Sequence, residues 1–91
     1  MRYEWDESKR ARNLRKHGLD FVNAWRVFED PLRFDAPSPR RGEPDRRRVT
    51  ALTSEEGDLL VLVYVTRRDA VRCISFRRSS EFEQQEYDAW L

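Results

Sequence analysis

One cysteine, one histidine and three glycines are all that the 91 residues hold of the types on which much enzyme chemistry is built. Cys73 stands alone, so no disulfide can close within the chain, which fits a reducing compartment. With His17 as its only possible imidazole companion, it cannot build a His/Cys zinc cluster. Gly18, Gly42 and Gly57 lie too far apart for a phosphate-cradling loop, and no G-x-S-x-G elbow occurs. No apolar run approaches the length of a membrane span, and the charge from Arg2 onward is unlike a signal peptide. These absences lead us to expect a cytoplasmic chain with no metal and no cofactor, and no membrane partner.

Charge is abundant. Charged residues make up 38% of the chain, against about a quarter in an average globular protein. Three Trp, three Tyr and five Phe argue against disorder, because aromatics at that density need a packed core. The length predicts a single domain over residues 1–91. The net charge of +1 hides three basic blocks, at residues 2–17, 40–48 and 67–78, and an acidic tail over 79–91. Basic blocks gathered on one face suit phosphate or an acidic protein.

Tyr3 and Trp5 alternate with charged residues as in a short strand or extended arm. Asp6 is an N-cap for a helix to His17, with Gly18 closing it. On that helix Ala11 and Leu14 form a weak apolar side, opposite Lys9, Asn13 and Lys16. Asp20 caps a second, short helix in which Phe21, Ala24, Trp25 and Phe28 follow amphipathic spacing, and Pro31 stops it. Strands are predicted at Leu32–Asp35, Arg46–Thr53, Leu59–Thr66 and Val71–Arg77. A loop over Ala36–Pro44, a hairpin turn over Ser54–Asp58 and a turn over Arg67–Ala70 connect them. Ser80 and Glu83 form a capping-box pattern for a last helix through Trp90, with Phe82, Ala89 and Trp90 on one face. The expected class is α+β: a small antiparallel sheet, two N-terminal helices and one C-terminal helix, all packed on one side.

Four features bear chemistry. Strand alternation places Arg77 with Cys73 and Ser75, and Arg72 with Ile74 and Phe76. Arg77 there suits bidentate phosphate binding, or a salt bridge to an acidic residue of the last helix. Arg46-Arg47-Arg48 enter a neighbouring strand, as phosphate ligands or as a solvated, charge-protected edge. Lys16-His17 end the first helix, whose C-terminus favours a protonated imidazole and so a general acid. Capping or packing against the next helix is the plainer role for His17. Tyr87 lies off the apolar stripe of the last helix, placed to stack on a base or to pack at its rim.

Together these residues resemble the BrnT family of bacterial type II toxins. The N-terminal part of the likeness is Trp5-Asp6, Lys9, Asn13, Lys16-His17-Gly18, Phe21, Ala24, Phe28 and Asp30-Pro31. Its C-terminal part is Arg72, Ile74-Ser75, Arg77, Ser80, Glu83 and Tyr87. The chain departs from the pattern at Leu52, at Arg68 and at Phe76, where small residues are usual, and in its acidic last helix.

The resemblance implies a RelE/ParE-like fold and a ribonuclease that stops translation. It also implies a BrnA-like antitoxin that neutralises the toxin, and contact with operator DNA only through the toxin–antitoxin complex. Metal-free RNA cleavage needs a base for the 2′-OH, cations for the pentavalent phosphorane and an acid for the leaving 5′-oxygen. On that basis the expected catalytic residues are His17, Arg47, Arg72 and Arg77. Lys16, Arg46 and Tyr87 are the expected RNA contacts. Free RNA and RNA on the ribosome both fit as substrate. A non-catalytic nucleic-acid-binding module and a protein-interaction module would use the same basic face.

Overall fold

Leu59-Leu-Val-Leu-Val-Tyr-Val65 is apolar on both sides of its pleat, and such a run is stable only where both faces and both edges are covered. It forms the centre of the sheet. A computed structural model of the chain describes residues 1–52 and 57–91. Its elements are β1 (Arg2–Glu4), α1 (Glu7–His17), a 3₁₀ turn (Phe21–Asn23), α2 (Trp25–Phe28), β2 (Phe34–Pro37), β3 (Arg47–Leu52), β4 (Leu59–Arg67), β5 (Ala70–Arg78) and α3 (Glu81–Trp90). The strand order is β1-β5-β4-β3-β2. All pairings are antiparallel except β1 with β5, which run parallel.

The α+β class and the order of elements are those expected. Strand ends shift by at most two residues. The hairpin turn expected at Ser54–Asp58 falls largely on residues 53–56, outside those described, as does Thr53 at the end of the expected Arg46–Thr53 strand.

The helices flank both sheet faces rather than one. On the first face Val49, Ala51, Leu60, Leu62, Tyr64, Val71, Cys73 and Phe76 pack against Phe21, Ala24 and Val27. Burying a side chain the size of Phe21 or Leu62 stabilises by about 1.5–3 kcal/mol. Trp25 is half exposed and Val27 fully buried, against the amphipathic spacing. The 3₁₀ turn has three residues per turn, so the buried stripe runs Phe21, Ala24, Val27.

Helix α3 lies on the second face. Phe34 pairs with Thr50, and its ring sits 5.5 Å from Trp90. Arg48 reaches Glu86 at 2.6 Å. The buried side of α3 carries Glu83 and Tyr87, while Phe82, Ala89 and Trp90 of the expected apolar face are exposed. In α1 the same inversion occurs: Asn13 is its buried residue, and Ala11 and Leu14 are exposed.

A bulge in β5 reorders its side chains. Tyr64 pairs with Cys73 but Val63 with Ser75, leaving Ile74 as the extra residue. Cys73 and Phe76 therefore share the first face, three residues apart, and both are in its core. Arg72, Ser75 and Arg77 fall on the second face, so simple alternation does not hold.

Candidate nucleic-acid interface

Strand β1 covers only Ala70–Arg72 of β5, which leaves the edge beyond Arg72 open. Helix α1 closes it with one side chain. Asn13 Nδ2 donates to the Phe76 carbonyl at 2.8 Å and to the Leu19 carbonyl at 2.9 Å. Its Oδ1 accepts from the Phe76 N–H at 3.0 Å. The carboxamide thus replaces a missing strand and satisfies backbone groups that would otherwise be buried unpaired. Arg10 adds a bidentate bond to Asp20, at 2.8 and 3.0 Å, fixing α1 to the cap of the next turn.

Pinning Asn13 to β5 aims its helical neighbours at the second sheet face. Lys9, Arg12, Asn13, Lys16 and His17 follow the i, i+3, i+4, i+7, i+8 stripe of one helix side. They line a groove of about 450 Å³, closed by Ile74 and Ser75 of the bulge and by Arg40 and Arg46 from the loop before β3. Arg12, Lys16 and Arg40 have no ion pair among the described residues. Arg46 pairs with Glu43 at 3.4 Å, and its buried Nε has no hydrogen-bond partner.

His17 is half-buried at the end of this stripe. Burial, then the charges of Lys16 and Arg77, lower its pKa from the ordinary 6.5. Burial and two cations work against the protonated imidazole expected at the helix C-terminus. The shift favours the neutral ring, which suits a base in the first proton transfer.

Of the seven residues singled out from the sequence, Lys16, His17 and Arg46 meet in this groove. Arg77 lies close enough to act on His17 through its charge, but its guanidinium is held by Glu83, Nη1 to Oε1 at 2.7 Å and Nη2 to Oε2 at 3.0 Å. Burial alone would raise the Glu83 pKa, but the bonds from Arg77 and the Ser80 N–H hold it at about 2. Arg47 sits on the first sheet face, 3.1 Å from Asp35. Asp35 also accepts from the Tyr64 hydroxyl at 2.6 Å, and burial followed by this carboxylate pushes Tyr64 up to about 12. Arg72 lies 3.7 Å from Glu4, in a separate cluster with Arg2, Arg67 and Arg68. Tyr87 is buried and donates to the Leu32 carbonyl at 3.3 Å.

Sequence reading did not assign Lys9, Arg12, Arg40 or Ser75 to the site. The first two were within reach of it, since the basic stripe is periodic. Arg40 comes from an irregular loop and carries no such signal.

A family model described as the ribonuclease toxin BrnT of type II toxin–antitoxin systems matches residues 5–83. This chain belongs to the BrnT family. The crystal structure of the Brucella abortus ribonuclease toxin BrnT superposes with a TM-score of 0.69 at 25% sequence identity, covering 89% of this chain and 99% of that one. Comparison with curated protein sequences gives no match. The matched span contains α1, the β5 bulge and Glu83, so the BrnT assignment covers most of the groove's framework. No described helix is long and apolar enough to cross a membrane.

Proposed function

We propose that this BrnT chain is a metal-independent endoribonuclease that cuts RNA in the α1 groove and thereby arrests translation. The observation that carries this reading is the convergence of Lys9, Arg12, Lys16, Arg40 and Arg46 around a single imidazole. A phosphodiester seated there is surrounded by fixed positive charge where charge develops in the pentavalent phosphorane. Neutral His17 takes the proton of the attacking 2′-OH. The departing 5′-oxygen receives a proton from His17 or from water. Arginine cannot serve as the base, because its pKa lies above about 12, and the groove cations are assigned binding and charge stabilisation. Arg47, Arg72 and Arg77 stay outside this group, the first across the sheet, the second in its own cluster, the third held by Glu83.

A BrnA-like antitoxin neutralises the toxin in the cytoplasm, and operator DNA is reached only through that complex. The family description as a type II toxin supports this part of the reading.

The test is incubation of the purified chain with a long RNA in excess chelator, beside His17→Ala and Arg12→Ala. Wild type is expected to cut, and His17→Ala to lose at least about a hundredfold, the lower bound for a lost acid–base group. Salt-sensitive RNA binding without cleavage would make the chain a binding module or make its activity depend on the ribosome. Cleavage at the wild-type rate in His17→Ala would remove the imidazole from the mechanism.

A further inference from the structure

A second cluster of cations lies beside the groove on the same sheet face. Arg2, Arg67, Arg68 and Arg72 surround a shallow cavity of about 270 Å³, with Glu4 as its one carboxylate. Glu4 sits 3.7 Å from Arg72, beyond hydrogen-bonding distance, and leaves the cluster strongly positive. Arg67 and Arg68 are exposed and have no ion pair among the described residues.

The turn that presents them is built at a cost. Arg67 pairs with Ala70, so Arg68 and Asp69 form a two-residue hairpin, and their φ angles are 48° and 65°. Such turns favour Asn-Gly, because a side chain with positive φ is strained. An arginine placed there gains nothing for the fold that glycine or asparagine would not give more cheaply. Strain of this kind persists where the side chain has a use. Arg2 buttresses the same turn, donating to the Arg68 carbonyl at 3.1 Å.

The bulge supplies the link to the groove. It puts Arg72 and Ser75 on one face, roughly 10 Å apart along β5 at the rise of a strand. An RNA strand seated beside Ser75 and His17 and running along β5 toward its hairpin end would reach the four arginines.

Resting on the ribonuclease reading, we infer that Arg2, Arg67, Arg68 and Arg72 form a second phosphate subsite, which grips the RNA backbone to one side of the scissile bond. The ligand is a backbone phosphate of single-stranded RNA, recognised by charge and by guanidinium geometry rather than by base.

The probe is a 2′-O-methyl RNA oligonucleotide, which the full chain can hold but not cut. Its affinity is measured over a range of salt for wild type and for Arg67→Ala/Arg68→Gly. The double variant is expected to bind roughly tenfold more weakly at low salt, with a log–log salt slope shallower by about 1.4, or 0.7 for each lost phosphate contact. Its melting temperature is expected to be equal or higher, because glycine accepts positive φ without strain. Cleavage of a dinucleotide, too short to span both sites, is expected to be unchanged. Wild-type affinity and slope in the variant overturn the subsite while leaving the ribonuclease reading intact. So does a variant that loses only its hold on an acidic partner protein. Absence of RNA binding and of RNA cleavage in the wild type overturns both.

Discussion

Cations gathered over one sheet face stand in two opposite states. Under α3, Arg77 is held by Glu83 through two hydrogen bonds, and Arg48 lies 2.6 Å from Glu86. At the α1 groove, Arg12, Lys16 and Arg40 converge on an open space with no carboxylate among its lining residues. The residue types are alike, and the acidic helix makes the difference. Where α3 lies, positive charge is spent on holding the helix to the sheet. Where it stops short, the same charge is left for a ligand. The role of an arginine in this fold is set by the presence of a carboxylate within reach.

Breaking the α3 side should give the largest effect. Glu83 has a side-chain exposure of 7%, and Arg48 and Arg77 have 13% and 29%. Removing one partner of such a cluster leaves buried charge uncompensated, so Glu83→Ala is expected to destabilise by about 3 kcal/mol. In a domain of this size that lowers the melting temperature by roughly 12 °C or more. The pH dependence has a definite sign. Glu83 is held at about 2 in the folded chain against an ordinary 4.5. Its contribution is therefore complete above 4.5 and is lost as pH falls toward 2. Thermal melts of wild type should decline over that window. Glu83→Gln should start lower at pH 7 and lose less on acidification. A variant melting like wild type at pH 7 would show that α3 is held by its aromatic contacts instead.

The groove side depends on Asn13, and Asn13→Ala is the next largest effect. It deletes three hydrogen bonds and orphans the N–H and carbonyl of Phe76, at a cost of about 2 kcal/mol. The variant should melt lower and exchange its Phe76 amide faster, and RNA cleavage should fall because α1 is no longer fixed to β5. Unchanged amide exchange would mean that the edge finds another partner.

Asn13 also shows where sequence reading stops. The caps at Asp6, Asp20 and Ser80, the central β4 run and the Gly18 stop are local signals, and the structure keeps them all. The partner of Asn13 lies 63 residues away, and nothing near Asn13 announces it. Apolar periodicity assigned the buried faces of α1 and α3 to Leu14 and to Phe82 and Trp90, all of which are exposed. Both helices bury polar groups whose partners are distant in sequence or in the sheet, and hydrophobic patterning is blind to that. The β5 bulge was equally hidden, since a one-residue insertion depends on the facing strand. For Arg77, phosphate ligand and salt bridge were equally open from sequence, because spacing does not show which way Glu83 turns. Lys16, His17 and Arg46, which the groove brings together, were legible as candidates because charge density and a lone imidazole are properties of the chain itself.

The smallest predicted effect tests whether the groove's cations tune its base. Burial lowers the His17 pKa first, and Lys16 and Arg77 add to it. Arg77 is unsuited to the experiment, since its loss also strands Glu83. Lys16 is exposed at the helix end, and Lys16→Met keeps most of its bulk while removing its charge. The imidazole should then titrate higher than in wild type, yet still below 6.5, because burial is unchanged. NMR of the ring protons reads this shift directly, with folding stability expected to stay within about 0.5 kcal/mol. If His17 is the base, it acts only when neutral, so the acid limb of kcat/KM should move upward by the same amount. A ring titration that moves while the kinetic limb stays fixed would separate His17 from the proton transfer. The groove would then remain a phosphate site whose base lies elsewhere.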